Sequence, residues 1–82
     1  MIILGIARSK GEYEGNSYDN INFHCQDDTK EILAGTFTEV VKVKSTVLKH
    51  QFGDGYDVTE LLGQDVLFSY DRYGKVQSIA IM

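Results

Sequence analysis

The chain has 82 residues, a formal net charge of −4 and a single cysteine. That length suits one domain with a modest core. The lone cysteine excludes an internal disulfide and fits a reducing, cytoplasmic compartment. The acidic balance argues against a general nucleic-acid binder. The basic residues are unevenly placed, however, because Lys42, Lys44 and Lys49 fall between positions 40 and 50 with no acidic residue among them.

The N-terminal run is apolar, and the first charged residues, Arg8 and Lys10, come after it. A secretory signal has its charges before the apolar region, and a membrane span is much longer, so this run predicts a buried first strand, Ile2–Arg8. Gly15-Asn16 then predicts the turn of a hairpin, since both residues tolerate the positive φ of tight turns.

The second predicted strand, Tyr18–Gln26, carries two different faces. Side chains alternate along a strand, so Ile21, Phe23 and Cys25 point toward the core. The opposite face is uncharged but can hydrogen-bond at every position: Tyr18, Asn20, Asn22 and His24. Such a row is typical of a surface that meets a base, another strand or a partner subunit.

A polar connection, Asp27–Gly35, leads to a third strand, Thr36–Lys44. In the phase expected for pairing with the second strand, Lys42 and Lys44 become neighbours of the polar row. A solvated outer face of a half-buried strand would present the same lysines. A binding groove would place aromatic and hydrogen-bonding side chains around these lysines, whereas a solvated face would leave them surrounded by water.

The apolar period then changes to that of a helix, Ser45–Phe52, which Gly53 ends. A second short helix follows, in which Asp57 and Glu60 form a capping box and Leu61 and Leu62 are expected to plug the bottom of a barrel. Two more strands, Asp65–Tyr70 and Lys75–Met82, flank a turn at Asp71-Arg72-Tyr73-Gly74.

Three strands, a short helical segment and two strands make up the element order of an OB-fold, a five-stranded Greek-key barrel. We therefore expect a mainly all-β chain that forms a single OB-like domain over residues 1–82. Other small barrels, including SH3-like ones, stay open, because element order does not fix strand pairing.

The chain resembles the small OB-fold single-stranded DNA-binding proteins of phages and mobile elements, of which the filamentous-phage type is the nearest comparison. The resemblance depends on the hairpin that leads into Tyr18–Cys25, the strand segment Val41–Lys44 and the closing segment Tyr70–Val76. It implies a homodimer that coats single-stranded DNA through aromatic and basic residues on its strands and on an extended hairpin. The chain departs from that family in having fewer cations.

Single-strand binding needs cations for phosphates and aromatic rings for base stacking. We expect Lys42, Lys44, Lys49 and Arg72 to contact phosphates. Tyr18 and Tyr73, with Tyr13 as a further candidate, would stack on bases. Asn20 and Asn22 would hydrogen-bond base edges, and His24 belongs to the same nucleic-acid-binding row. The alternative function is that of a β-barrel adaptor that binds a protein partner, for instance by strand addition, without catalysis.

The sequence offers little support for an enzyme or a metal site. His24 and Cys25 are adjacent on a strand, so their side chains point to opposite faces and cannot form a nucleophile–base pair. Cys25, His24 and His50 lack the paired spacing of a zinc site. We expect no cofactor and no metal.

Overall fold

The computed structural model describes residues 1–27 and 30–82 of the chain. Its elements in chain order are β1 (Ile2–Tyr13), β2 (Asn16–Gln26), β3 (Thr38–Lys44), α1 (Ser45–Phe52), a 3₁₀ turn (Val58–Leu61), β4 (Val66–Tyr70) and β5 (Val76–Ile81). The predicted mainly-β composition and the helix between the third and fourth strands are confirmed. In the predicted connection Asp27–Gly35, Asp28 and Thr29 lie outside the described residues.

The first hairpin is longer than the sequence predicts, and its turn lies one residue earlier. β1 continues to Tyr13, which pairs with Asn16, so the two turn residues are Glu14 and Gly15 and the predicted Gly15-Asn16 turn is wrong. Both residues adopt positive φ, 50° and 79°, as a two-residue turn between twisted strands requires. Glycine does so without strain, whereas glutamate seldom does.

The strands form two antiparallel sheets, one with the order β1-β2-β3 and the other with β4-β5. The sheets are joined where β1 begins, through a single bridge between Ile2 and Asp65. The amide of Ile3 donates to the carbonyl of Gln64, and that of Val66 donates to Met1. In the described residues β3 and β5 form no ladder, so no closed barrel is seen.

A side chain of α1 bonds the backbone of β5. The Gln51 amide donates to the carbonyl of Ile79, and the Gln51 carbonyl oxygen accepts from the amide of Ile79 at 2.8 Å. Both backbone groups of Ile79 are therefore paired by a side chain, in the way a neighbouring strand would pair them. α1 is fixed against the second sheet by this contact.

The core lies between the two sheets and under α1, and it contains Phe23, Val43, Val66 and Ile79. The rings of Phe23 and Phe68 lie 5.9 Å apart between their centres, so the two sheets share one core. Cys25 is fully buried, as expected from its face of β2.

The helical segments lie where the sequence predicts them. α1 has the predicted bounds; its N-cap residue is Lys44, and no side chain caps it. In the 3₁₀ turn Asp57 is the N-cap, as predicted, but its side chain accepts from the amide of Thr59, while the amide of Glu60 donates to the backbone carbonyl of Asp57, so the predicted bond between the Asp57 side chain and the Glu60 amide is replaced. Of the two leucines expected to plug the barrel, Leu61 is 0% exposed but Leu62 is 55% exposed. That half of the prediction is wrong, since a single-turn helix can direct only one of two adjacent residues into the core.

The β4–β5 turn forms where the sequence places it. Asp71 Oδ1 accepts from the amides of Tyr73 and Lys75, and the amide of Gly74 donates to the carbonyl of Asp71. An Asp at the first position of a turn commonly makes such bonds. The turn is thereby fixed by local chemistry.

A lysine-lined groove beside the first hairpin

The polar row of β2 lies on the outer face of the first sheet. Asn20 is opposite Lys44 on β3, and Asn22 is opposite Lys42. Directly opposed residues of an antiparallel pair share a face, so the predicted neighbours are indeed neighbours. His24, opposite Val40, continues the row and is exposed.

An open groove of about 940 Å³ lies between the β1–β2 hairpin, the end of β3, the start of α1 and the start of β5. We call it the lysine groove, because five lysines line it in the described part of the chain: Lys10, Lys42, Lys44, Lys49 and Lys75. The chain has six lysines in all. The sixth, Lys30, lines a separate hollow beside Phe37. An acidic chain therefore has most of its lysines around one groove.

Two carboxylates, Glu12 and Asp19, also line the groove. Asp19 is engaged by Arg8, whose Nε and Nη2 atoms donate to its two oxygens at 2.9 and 2.6 Å. The Arg8 guanidinium, assisted by the Ser45 hydroxyl, lowers the pKa of Asp19 to about 2. Arg8 offsets the charge of Asp19, and the five lysines outnumber the remaining carboxylate, Glu12, so the groove favours an anionic ligand.

Tyr18 is the aromatic side chain of the groove, and it is 42% exposed. It is opposite Gly11 on β1, and its phenol end covers that glycine: a methyl group at Gly11 would lie 2.7 Å from Tyr18 Oη and 2.9 Å from Cζ. The ring thus lies across the hairpin toward β1, and it lines the same groove as the lysines of β3 and α1.

The groove brings together five of the predicted site residues, namely Tyr18, Asn20, Lys42, Lys44 and Lys49. The neighbouring positions Asn22 and His24 extend the row beyond it. Arg72 and Tyr73 are on the β4–β5 turn, where the Arg72 guanidinium carbon lies 5.0 Å from the centre of the Tyr73 ring. Neither these two nor Tyr13, at the far end of β1, is among the described groove residues.

Lys10 and Lys75 are groove residues that the sequence reasoning missed. The sequence predicts a first strand that ends at Arg8, which leaves Lys10 outside it. The signal was available, since the alternation of charged and small residues continues through Lys10, Gly11 and Glu12. Lys75 begins the predicted fifth strand, but nothing local connects it with Lys42 or Lys44, which are about 30 residues away in the chain.

The adjacent His24 and Cys25 are on opposite faces of β2, as predicted: His24 is exposed and Cys25 is buried. The Cys25 thiol donates to the carbonyl of Phe23 at 3.6 Å, and burial raises the pKa of that thiol. Among the described residues, no three His, Cys, Asp or Glu side chains lie together as metal ligands would.

Comparison with protein families, with curated proteins and with solved structures yields no match to this chain. Neither helical segment in the described residues has the length and apolar character needed to cross a membrane. The geometry of the lysine groove is therefore the basis for a functional proposal.

Proposed function

We propose that the chain binds single-stranded nucleic acid in the lysine groove. The observation that carries this proposal is the convergence of five lysines and the exposed ring of Tyr18 on one open groove of an otherwise acidic chain. Proteins that bind single strands combine a positively charged groove along the backbone with aromatic side chains on which bases stack. Asn20 adds a side-chain amide that can hydrogen-bond a base edge.

The position of the groove supports the same proposal. In OB-folds, oligonucleotides bind on the face of strands 2 and 3 and on the loops that flank it. Here Tyr18, Asn20, Lys42 and Lys44 are on the outer face of β2 and β3. We propose that the two sheets, joined by the Ile2–Asp65 bridge, represent an OB-like arrangement whose barrel is not closed along β3 and β5.

The number of lysines sets the expected salt dependence. Each phosphate contact on a single strand lowers log K by about 0.7 per unit of log salt, so five contacts give a slope of about −3.5. A duplex is a poorer ligand, because its bases are paired and unavailable to Tyr18. The affinity should therefore fall steeply as the salt concentration rises, and it should be higher for single strands than for a duplex.

The test is a fluorescence-anisotropy titration with labelled oligothymidine, single-stranded and as a duplex with oligoadenosine, at two salt concentrations. Lys44→Ala should weaken single-strand binding and reduce the magnitude of the slope by about 0.7. Lys30→Ala is the matched control, since it removes the same charge outside the groove. Absence of binding at low salt, or equal effects of the two substitutions, refutes the proposal.

A second candidate function is protein binding by strand addition, and the open edges of the first sheet favour it. Beyond its bulge near Leu4, β1 runs to Tyr13 with β2 as its only ladder partner in the described residues. An unpaired edge can accept a strand of another chain, including a second copy of this one, as the resemblance implies. Capture of one defined protein partner that persists after nuclease treatment would favour this function. Sedimentation would report a homodimer.

A further inference from the structure

Gly11 has a distinct place in the lysine groove, because the phenol end of Tyr18 occupies the space of a side chain at position 11. A methyl group there would lie 2.7 Å from Oη, 2.9 Å from Cζ and 3.3 Å from Cε1 of Tyr18. Contacts below 3.0 Å are not tolerated, so any side chain at Gly11 would displace the ring.

The backbone itself does not require glycine at this position. Gly11 is not among the glycines with positive φ, and it lies in a regular stretch of β1 opposite Tyr18. Glycine in a strand interior is unfavourable unless something approaches its backbone closely. Here the approaching group is an aromatic ring.

Gly5, on the same strand and the same face, is different. A methyl group at Gly5 would lie 3.6 Å from the nearest atom, Cβ of His24, which is an ordinary van der Waals contact. The close approach thus distinguishes Gly11 from a glycine six residues earlier on the same face. The group that approaches Gly11 is Tyr18, which is the one aromatic side chain that lines the groove in the described residues.

We propose that Gly11 is a positioning residue, which leaves the ring of Tyr18 room to lie over β1 in the lysine groove and so makes the groove select strands with unpaired bases over polyanions of equal charge. This inference rests on the proposed function. Lysines recognise phosphates whether or not bases are attached, so the preference for bases must come from the ring. A ring already fixed in place loses less conformational freedom when a base stacks on it.

The test compares oligothymidine with an abasic oligonucleotide of the same length, which carries the same phosphates without bases. If one base stacks on Tyr18, the unsubstituted protein should prefer oligothymidine by roughly fivefold to 150-fold. Gly11→Ala should bring this ratio close to one, as Tyr18→Ala should, and neither substitution should change the affinity for the abasic strand. Gly5→Ala is the matched control and should keep the full ratio.

A double-mutant cycle separates positioning from a general structural role. With Tyr18→Ala already present, Gly11→Ala should have no further effect on either ligand, because no ring remains to be displaced. The double variant also shows whether the backbone accepts alanine at position 11, since the contact with Tyr18 is absent from it. Circular dichroism and thermal unfolding report the fold of each variant.

The outcomes separate the two proposals. If Gly11→Ala keeps the preference for oligothymidine, or if its effect persists without Tyr18, the inference about Gly11 is overturned. If the unsubstituted protein binds both strands equally and with steep salt dependence, the inference fails while nucleic-acid binding stands. If it binds neither strand at low salt, the proposed function itself fails.

Discussion

Replacement of Gln51 by alanine tests the contact that fixes α1 to the second sheet. The substitution removes both partners of the Ile79 backbone, the acceptor at 2.8 Å from its amide and the donor to its carbonyl. Ile79 is buried, so these groups can be rehydrated only if water enters the gap. Each lost hydrogen bond costs about 0.5–1.5 kcal/mol, which gives a loss of about 1–3 kcal/mol in the free energy of unfolding.

For a domain of this size, 1 kcal/mol corresponds to about 4–8 °C in Tm, so a loss near 2 kcal/mol predicts a fall of about 8–16 °C. Thermal and urea unfolding monitored by circular dichroism measure it. Gln51→Glu should also destabilise the protein, because it keeps an acceptor for the amide but loses the donor to the carbonyl. Gln77→Ala is the matched control, as Gln77 is an exposed glutamine on β5.

A loss below about 0.5 kcal/mol for Gln51→Ala, comparable to that of an ordinary surface substitution, would refute the reasoning. The contact also concerns the groove, because α1 carries Lys49 and begins at Ser45, both of which line it. A variant that stays folded but frees α1 should therefore bind oligothymidine more weakly than Gln77→Ala does.

Leu61→Ala should destabilise the protein by about 2–5 kcal/mol in urea unfolding, whereas Leu62→Ala should cost less than about 0.5 kcal/mol, because only Leu61 is buried; equal losses would contradict this packing. Glu14→Asn should stabilise the hairpin by up to about 1 kcal/mol, since asparagine tolerates the φ of 50° better than glutamate does; a lower Tm would contradict the turn assignment. Because Arg8 lowers the pKa of Asp19 to about 2, the stabilisation from this pair is complete above the usual pKa of 3.8 and is lost as the pH falls through 2. The stability difference between the unsubstituted protein and Asp19→Asn should therefore shrink on acidification from about pH 4 to pH 2, and a constant difference would contradict it.

Local chemistry explains why much of the fold is predictable. The alternation in β2 assigns Phe23 and Cys25 to the core and His24 to the surface, because successive side chains on a strand point to opposite faces. The change of period at Ser45 and the turn at Asp71 likewise depend on residues within a few positions of one another. These features could be predicted because their causes lie within one short segment.

The first hairpin shows where such reasoning fails. Its turn is built from Glu14 and Gly15 rather than Gly15 and Asn16, and the two alternatives differ by a two-residue shift in the pairing of β1 with β2, which leaves Ile21 and Phe23 on the same face. The alternation of faces therefore cannot separate the two turns from the sequence, whereas the structure places glycine at the second position of positive φ, where a two-residue hairpin turn favours it. The same pairing extends β1 to Tyr13 and places Lys10 in the groove.

The sequence by itself determined the polar row of β2, its neighbours Lys42 and Lys44 and the helix that follows them. Only the tertiary structure decided that Lys10 and Lys75 join these lysines and that Tyr18 lies across Gly11. These residues belong to β1, β2 and β3 and to the position just before β5, which are far apart in the chain. They depend on which strand edges meet and which remain open, and edge pairing is set by burial of the shared core rather than by any local pattern.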